Sequence, residues 1–146
     1  MRTLLLLSLL VLPTAPAAFA SAGEHTRNPT LTVRDTRYGR VLFDGRGRAL
    51  YAFTRDRRGG PSRCYGACAA AWPVYLAGGT LRAGPGVKQR LLGTVRRRDG
   101  RRQVTYDGRP LYRYVGDRRA GRVGCQNVSE FGGLWLVVRP NGTLVR

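Results

Sequence analysis

Short runs in which apolar and polar residues alternate fill the chain from Leu31 to Val145. Alternation with a period of two is typical of β-strands, whereas an amphipathic helix repeats its apolar residues every three or four positions. No stretch shows a long helical period, so the pattern predicts an all-β fold of many short antiparallel strands. The predicted strands are 31–33, 40–43, 49–53, 74–76, 91–96, 103–106, 109–114, 134–138 and 143–145.

Turn residues lie between several of these strands. An Asp-Gly pair at 44–45 lies in the first predicted hairpin, another at 99–100 lies in the second, and an Asn-Gly pair at 141–142 lies in the last. Such pairs favour the tight turns of hairpins. The only predicted helical structure is one short turn over residues 64–72, which Pro73 ends.

The chain also contains an internal duplication. The run Leu50–Asp56, LYAFTRD, returns in the second half of the chain as Leu111–Asp117, LYRYVGD, and an Arg-Arg-x-Gly sequence follows both runs. We therefore predict two fused β-rich repeats that pack as one pseudo-symmetric domain. The predicted segments are a first repeat at 31–76, a connection at 77–90 and a second repeat at 91–146.

The N-terminal residues are expected to be a targeting segment. Arg2 precedes an apolar run from Leu4 to Leu12, and small residues follow, which is the pattern of a cleavable secretory signal over residues 1–22. The run is too short to span a bilayer, and residues 23–30 are predicted to be a flexible lead-in. We expect an exported protein, secreted, periplasmic or associated with the cell envelope, with no transmembrane segment in the mature chain.

Net charge is the strongest compositional signal. The formal net charge is +18, with 26 basic and 8 acidic residues. Such a positive field favours acidic partners. The alternatives are a surface that is merely solvated, binding to an anionic envelope polymer or anionic lipid surface, and binding to nucleic acid, which is the least favoured because exported proteins meet it less often. The second hairpin holds the densest group, predicted to point outward as an anion-binding patch: Arg96, Arg97, Arg98, Arg101 and Arg102.

The repeated motif supplies two pairs of aromatic residues. Tyr51 and Phe53 are two positions apart on a strand and so project to one face, as do Tyr112 and Tyr114. We predict that these rings pack in the core, where a stacked arrangement of the repeats lets them meet. The alternative is an exposed platform for a ligand.

An acidic residue ends each copy of the motif. Asp56 and Asp117 are predicted to be structural, accepting hydrogen bonds from loop N–H groups and pairing with the arginines that follow them. Those arginines also disfavour a metal ion at either position. The only histidine, His25, precedes the predicted fold, so no Ser-His-Asp triad is available. We expect no enzymatic activity, no cofactor and no metal site.

The motif residues resemble a known family. Both copies fit Tyr-x-(Phe/Trp/Tyr)-x-x-Asp, and the sequence is similar to exported bacterial repeats described as predicted lipoproteins or secreted repeats of unknown function. Three further segments carry the resemblance: Cys64-x-x-x-Cys68 before Ala71-Trp72-Pro73, Tyr106-Asp107-Gly108-x-Pro110, and Phe131-Gly132-Gly133-x-Trp135. The resemblance implies a β-rich fold and an exported location, and it implies no reaction.

Three cysteines are the only reactive candidates. A bond between Cys64 and Cys68 needs no assumption about the fold, and the family resemblance includes this pair. A bond between Cys64 and Cys125 would close a much longer loop, which favours it in chain entropy. The first pairing is predicted, leaving Cys125 as an odd thiol. The sequence thus predicts a non-enzymatic envelope-associated binding or structural module; the alternative is a thiol-redox or metal-handling protein that uses the three cysteines.

Overall fold

Short strands make up most of the regular structure in the computed structural model, which describes residues 30–146. The predicted signal segment, His25 and all but the last residue of the predicted lead-in lie outside the described residues. The elements are β1 Leu31–Thr36, β2 Gly39–Asp44, β3 Tyr51–Phe53, α1 Ala67–Ala71, a 3-10 turn Gln89–Leu91, β4 Leu92–Arg96, β5 Arg102–Tyr106, β6 Arg109–Pro110, β7 Val128–Glu130 and β8 Gly133–Val137. The predicted all-β class is confirmed. No helix within the described range is long and apolar enough to cross a membrane.

The strands form three small antiparallel sheets. Their orders are β1-β2, β3-β8-β7 and β4-β5-β6. The predicted hairpin around Asp99-Gly100 joins β4 to β5, with the Arg97 N–H donating to the Arg101 carbonyl at 2.9 Å. Gly100 has φ +81°, a left-handed conformation that glycine adopts without strain.

The hairpin predicted between 40–43 and 49–53 is only partly present. The turn at Asp44 forms, with the Gly47 N–H donating to the Asp44 carbonyl at 2.9 Å, but only one isolated bridge, Phe43 to Ala49, continues it. Strand β2 pairs with β1 instead, and β3 pairs with β8. Strand β3 has β8 on one side and Tyr112 on the other, so neither of its edges is left for β2.

The two copies of the motif lie side by side. We call 51–53 and 111–114 the motif strands. The Tyr51 N–H donates to the Tyr112 carbonyl and the Tyr112 N–H donates to the Tyr51 carbonyl, both at 2.9 Å, which is an antiparallel pairing. The duplicated sequences thus meet at the centre of the molecule.

Each motif strand has an extended segment of the other repeat on its outer side. These are the tryptophan segments, 72–75 and 135–138. Segment 72–75, like 111–114, is joined to its neighbours by isolated bridges and not by a regular strand ladder. Tyr51 pairs with Val137 of the second repeat, whereas Tyr112 pairs with Val74 of the first. We call this arrangement the strand exchange. It means that neither repeat contains the full set of backbone partners for its own motif strand.

Two apolar clusters cover the two faces of the central strands. Tyr51 and Phe53 face the first cluster, where the rings of Trp72 and Trp135 stack at 4.0 Å with an interplanar angle of 2°. The residues that alternate with them face the second cluster, whose buried members are Leu31, Leu42, Leu50, Ala52, Tyr75, Val104, Tyr106, Leu111 and Val138. Burial on both faces explains why the central strands are apolar at successive positions.

Candidate functional site

The repeated tyrosines and aspartates contact one another between the repeats. The Tyr51 hydroxyl donates to Asp117 Oδ2 at 2.5 Å, and the Tyr112 hydroxyl donates to Asp56 Oδ2. All four side chains are buried. We call these four residues the Tyr–Asp centre. Each bond joins a tyrosine of one repeat to the aspartate of the other. The two hydrogen bonds can therefore form only when both copies of the motif are present.

The second carboxylate oxygen of each aspartate holds the loop that follows it. Asp56 Oδ1 accepts from the Arg63 N–H at 2.7 Å, and Asp117 Oδ1 accepts from the Gly124 N–H at 2.8 Å. These are the predicted loop contacts. The expected ion pairs of both aspartates with the following arginines (Arg57, Arg58, Arg118 and Arg119) are absent among residues 30–146, because the tyrosine hydroxyls and loop amides occupy the carboxylate oxygens.

Burial controls the proton equilibria of this centre. Desolvation raises the pKa of Tyr51 and Tyr112 well above the ordinary value, and interaction with an aspartate raises it further. Burial also raises the pKa of Asp56, while the bond from Tyr112 opposes that shift. Both phenols therefore stay protonated at neutral pH and act as permanent hydrogen-bond donors. The arrangement can hold two loops and two repeats together.

The predicted aromatic pairs lie in the first apolar cluster. Tyr51, Phe53 and Tyr112 are buried and Tyr114 is half-buried against them. The Phe53 ring stacks on Trp135 at 4.2 Å. Sequence reasoning missed the contact between the two tryptophans that completes this cluster. A signal for it exists, since Trp-x-Val occurs at 72–74 and again at 135–137.

Cys64 and Cys125 lie at equivalent places in the two repeats. The sulfur atoms of Cys64 and Cys68 are 1.98 Å apart, a disulfide distance, so the alternative bond from Cys64 to Cys125 is wrong. Cys125 is an unpaired, buried thiol within the described residues, and burial raises its pKa. Ser129 follows Cys125 at the spacing that separates Cys68 from Cys64, so the second repeat has a serine where the first has its second cysteine.

The alternative of a thiol-redox or metal-handling protein depends on Cys64, Cys68 and Cys125. Cys64 is already bonded to Cys68, and Cys125 lies in the loop of the other repeat. Across the described part of the chain, no three His, Cys, Asp or Glu side chains are grouped so that they could hold a metal ion.

One member of the predicted anion-binding patch is not on the surface. Arg97 is 3% exposed, and its guanidinium donates to Gln103 Oε1 at 2.8 Å and to the Cys64 carbonyl at 2.9 Å. It also lies 4.3 Å from the centre of the Tyr65 ring. The expectation that Arg97 points outward is therefore wrong, because the disulfide loop packs over this side of the hairpin.

The other four arginines of the hairpin are exposed, and we call them the hairpin patch: Arg96, Arg98, Arg101 and Arg102. Arg101 is paired with Asp99 at 2.6 Å, and this contact lowers the pKa of the Asp99 carboxyl. Arg98 lies 4.0 Å from the centre of the Tyr65 ring, which Arg97 also contacts. No carboxylate lies within ion-pair distance of Arg96, Arg98 or Arg102 among the residues that the structure describes.

Several of the few carboxylates face inward. Asp44, Asp56 and Asp117 are all buried, and they bind hydroxyl, amide or guanidinium groups of the fold. The outer surface is therefore more uniformly positive than the composition alone implies.

A family model described as a secreted repeat of unknown function matches the chain twice, over residues 32–75 and 93–139. The chain belongs to this family. The two matches cover more than half of the sequence, and as a secreted-repeat protein it is exported. The resemblance found in the sequence is thereby confirmed. No curated protein and no solved structure matches this secreted-repeat chain.

Proposed function

We propose that this exported protein is a non-enzymatic binding module that holds an anionic polymer of the cell envelope on its arginine surface. The observation that carries the proposal is the hairpin patch, where three exposed guanidinium groups have no carboxylate within ion-pair distance among residues 30–146. A polyanion would relieve the repulsion among these groups.

The chemistry of the hairpin favours a polymer over a bilayer. The turn residues 97–100 are two arginines, an aspartate and a glycine, so the tip offers no large apolar side chain to enter a lipid layer. Guanidinium groups bind carboxylate and phosphate groups through paired hydrogen bonds, and both groups occur in anionic envelope polymers. Since the contacts are with charges, binding should not depend on the order of monomers.

The Tyr–Asp centre supports a non-enzymatic role. Its hydroxyls and carboxylate oxygens are already bonded to one another and to loop amides, so they are not free to act on a bound substrate.

Retention of the purified protein on immobilised anionic cell-wall polymer tests the proposal. Replacing Arg96, Arg98 and Arg102 by glutamine should weaken retention about tenfold at low salt, and salt near 0.15 M should weaken wild-type binding because screening acts over ~8 Å. Arg97 is kept, since its side chain is buried. The melting temperature should change by no more than a few degrees.

The matched control removes the same charge elsewhere. Arg57, Arg118 and Arg119 are exposed, and their triple glutamine variant should lose much less retention than the hairpin variant. Equal loss in both variants would mean that only net charge matters and would refute the assignment to the hairpin patch. Retention that changes with neither salt nor the hairpin substitutions would refute the proposal. Retention on anionic vesicles but not on polymer would show that the partner is a lipid surface and not a polymer.

A further inference from the structure

The equivalence of the two repeats extends beyond the tryptophan segments. Gly79-Thr80-Leu81 returns as Gly142-Thr143-Leu144, with the same offset along the chain that relates Trp72 to Trp135. The aspartates of two turns, Asp44 and Asp107, are related by that offset as well. Each repeat therefore has an aspartate turn and a glycine-containing segment. If the two repeats were equivalent, each segment would pack beside the turn of its own repeat.

In the second repeat no space remains between the glycine-containing segment and the aspartate turn. A Cβ atom added at Gly142 would lie 2.5 Å from the Cβ of Asp107, so the turn packs directly on the aspartate. The Arg139 N–H donates to the Thr143 carbonyl at 2.8 Å, and the Tyr106 hydroxyl donates to the Pro140 carbonyl at 2.8 Å. This packing leaves no space for a ligand.

In the first repeat a space remains between the corresponding segment, 79–81, and the Asp44 turn. The Ala77 N–H donates to the Arg102 carbonyl at 2.9 Å, and the Thr30 N–H donates to the Arg82 carbonyl at 2.8 Å, so the segment runs between β5 and β1 instead of folding back. A Cβ atom added at Gly79 would meet nothing within 4 Å. A cleft of about 500 Å³ lies between this segment and the Asp44 turn.

Arginines dominate the charged lining of this cleft. Arg113 is fixed by Asp44 Oδ2, which accepts a hydrogen bond from its Nε at 2.7 Å and forms an ion pair with its Nη2 at 2.7 Å. The Arg113 guanidinium also lies 4.5 Å from the centre of the Tyr75 ring. Its side chain is still 30% exposed. Arg46 and Arg82 also line the cleft, and neither is in an ion pair within the described range. Three guanidinium groups thus accompany one carboxylate.

That carboxylate has no free oxygen for a ligand. Asp44 Oδ1 accepts from the Arg46 and Arg48 N–H groups, both at 2.9 Å, and the residue is 1% exposed. Asp44 therefore orients Arg113, and the guanidinium of Arg113 offsets its charge. The rest of the lining offers hydroxyl and backbone groups at Thr30, Gly78, Gly79 and Thr80, beside the apolar side chains of Leu76 and Leu81.

We propose that this cleft binds a small hydroxyl-rich anion, a sugar acid or a sugar phosphate, with the acidic group at Arg46, Arg82 and Arg113 and the hydroxyls along 78–80. Its volume suits a ligand of one or two sugar units and greatly exceeds that of a bare phosphate ion. Arginine provides the planar, paired donors that carboxylate and phosphate groups prefer. No residue of the hairpin patch lines the cleft, so the proposal goes beyond charge-based polymer binding.

Titration of the mature protein with glucuronate, glucose 6-phosphate, glucose and inorganic phosphate, followed by amide NMR shifts and calorimetry, tests this site. The two acidic sugars should shift the amides of Gly45, Gly78, Gly79 and Thr80, whereas glucose should not bind. Inorganic phosphate should bind at least tenfold more weakly than glucose 6-phosphate. Equal affinity for the bare ion, or no shift of these amides at saturating acidic sugar, would overturn the proposal.

Variants distinguish binding in the cleft from binding to the positive surface in general. Arg46→Gln with Arg82→Gln should weaken binding of the acidic sugars at least tenfold, and Thr80→Trp should block the cleft with no change in charge. The matched control, Arg118→Gln with Arg119→Gln, should stay within twofold of wild type. If the control lost as much affinity for the acidic sugars as the Arg46 and Arg82 variant, the proposal would be overturned. Polymer retention by the hairpin variant is measured separately, so either proposal can fail alone.

Discussion

At the scale of single residues, two tyrosine hydroxyls hold buried carboxylates that belong to the other repeat. A hydrogen bond to a charged group contributes about 1.5–3 kcal/mol, and a buried acceptor left without its donor is costly. Tyr112 donates to Asp56 and also contacts the Ser62 hydroxyl at 2.7 Å, so its loss would leave two buried polar groups short of a partner.

Removing one hydroxyl should therefore destabilise the whole fold. We expect Tyr51→Phe and Tyr112→Phe each to lower the free energy of unfolding in urea by about 1.5–3 kcal/mol, with no cavity formed. Alanine at either position should cost about 3–5 kcal/mol, because a large ring is also lost. Tyr38→Phe is the control, since that hydroxyl is contacted by the exposed Arg37. Losses at both buried tyrosines below about 0.5 kcal/mol, the lower end for a net hydrogen bond, would contradict the role of the centre.

The same centre predicts an unusual response to pH. Burial raises the pKa of Asp56, so the folded state binds its proton more tightly than the unfolded chain does. Its contribution to stability is fully present below about pH 4 and is lost as the pH rises through the raised pKa. Asp56→Asn keeps an acceptor for Tyr112, and it should gain stability relative to wild type as the pH rises above about 4.

The control for this measurement has the opposite sign. Arg101 lowers the pKa of Asp99, so the contribution of Asp99 is present above about pH 4 and is lost as the pH falls. Asp99→Asn should therefore lose stability relative to wild type as the pH rises. Urea unfolding of both variants and wild type between about pH 3 and 7 gives the two slopes. Slopes of the same sign would contradict the assignment at Asp56.

Residue roles were predictable only where they depend on nearby sequence. The loop contacts of Asp56 and Asp117 follow from a carboxylate placed before a turn, and the sequence predicts them. Their tyrosine partners lie in the other repeat and depend on how the strands pair, which no local pattern encodes. Arg97 shares its sequence context with exposed neighbours, and its burial depends on the loop at Cys64 and Tyr65 packing over it.

At the scale of elements, local signals predicted one hairpin well and missed another. The β4–β5 hairpin has an Asp-Gly turn and forms where it was predicted. The β7–β8 hairpin turns at Phe131-Gly132, with Phe131 at φ +54°. Bulky residues rarely adopt this left-handed conformation, so Phe-Gly is not among the pairs that predict a tight hairpin turn. The sequence predicts that strand β3 pairs with its neighbour along the chain, whereas its partner in the sheet, β8, lies near the other end of the chain.

The strand exchange makes each half of the chain incomplete. Without residues 135–138, the strand at Tyr51 has no partner on its outer side, and without 72–75 the strand at Tyr112 has none. We therefore expect residues 30–84 and 85–146, produced separately, to give disordered circular dichroism spectra. Mixing them in equal amounts should restore β structure, since every contact is then available.

A full chain cleaved at an inserted protease site near Gly84 is the control, and its two pieces should stay folded together. The site lies in the segment that joins the repeats, away from the central strands. Cooperative unfolding of residues 30–84 alone would show that the first half is self-sufficient and would contradict the importance of the exchange.

At the scale of the whole molecule, the duplication could be predicted and its asymmetry could not. The repeated motif is visible in the sequence, but Gly79-Thr80-Leu81 lies in the predicted connection, because glycines are common in linkers. Whether that segment closes on the aspartate turn depends on its partners at β1 and β5, which are distant in sequence. Net charge could likewise be read from composition, whereas the inward placement of Asp44, Asp56 and Asp117 required the fold.

The strand exchange also sets the order of events during synthesis of the protein. The first repeat is made before the segment 135–138, so its central strand lacks its outer partner until the end of the chain is made. Pairings between residues so far apart in sequence form slowly, because a long loop must close first. We therefore expect the first repeat to remain incompletely folded until the last residues of the chain have been made. Loss of residues 135–146 would leave the first repeat unable to fold, although its own sequence is intact.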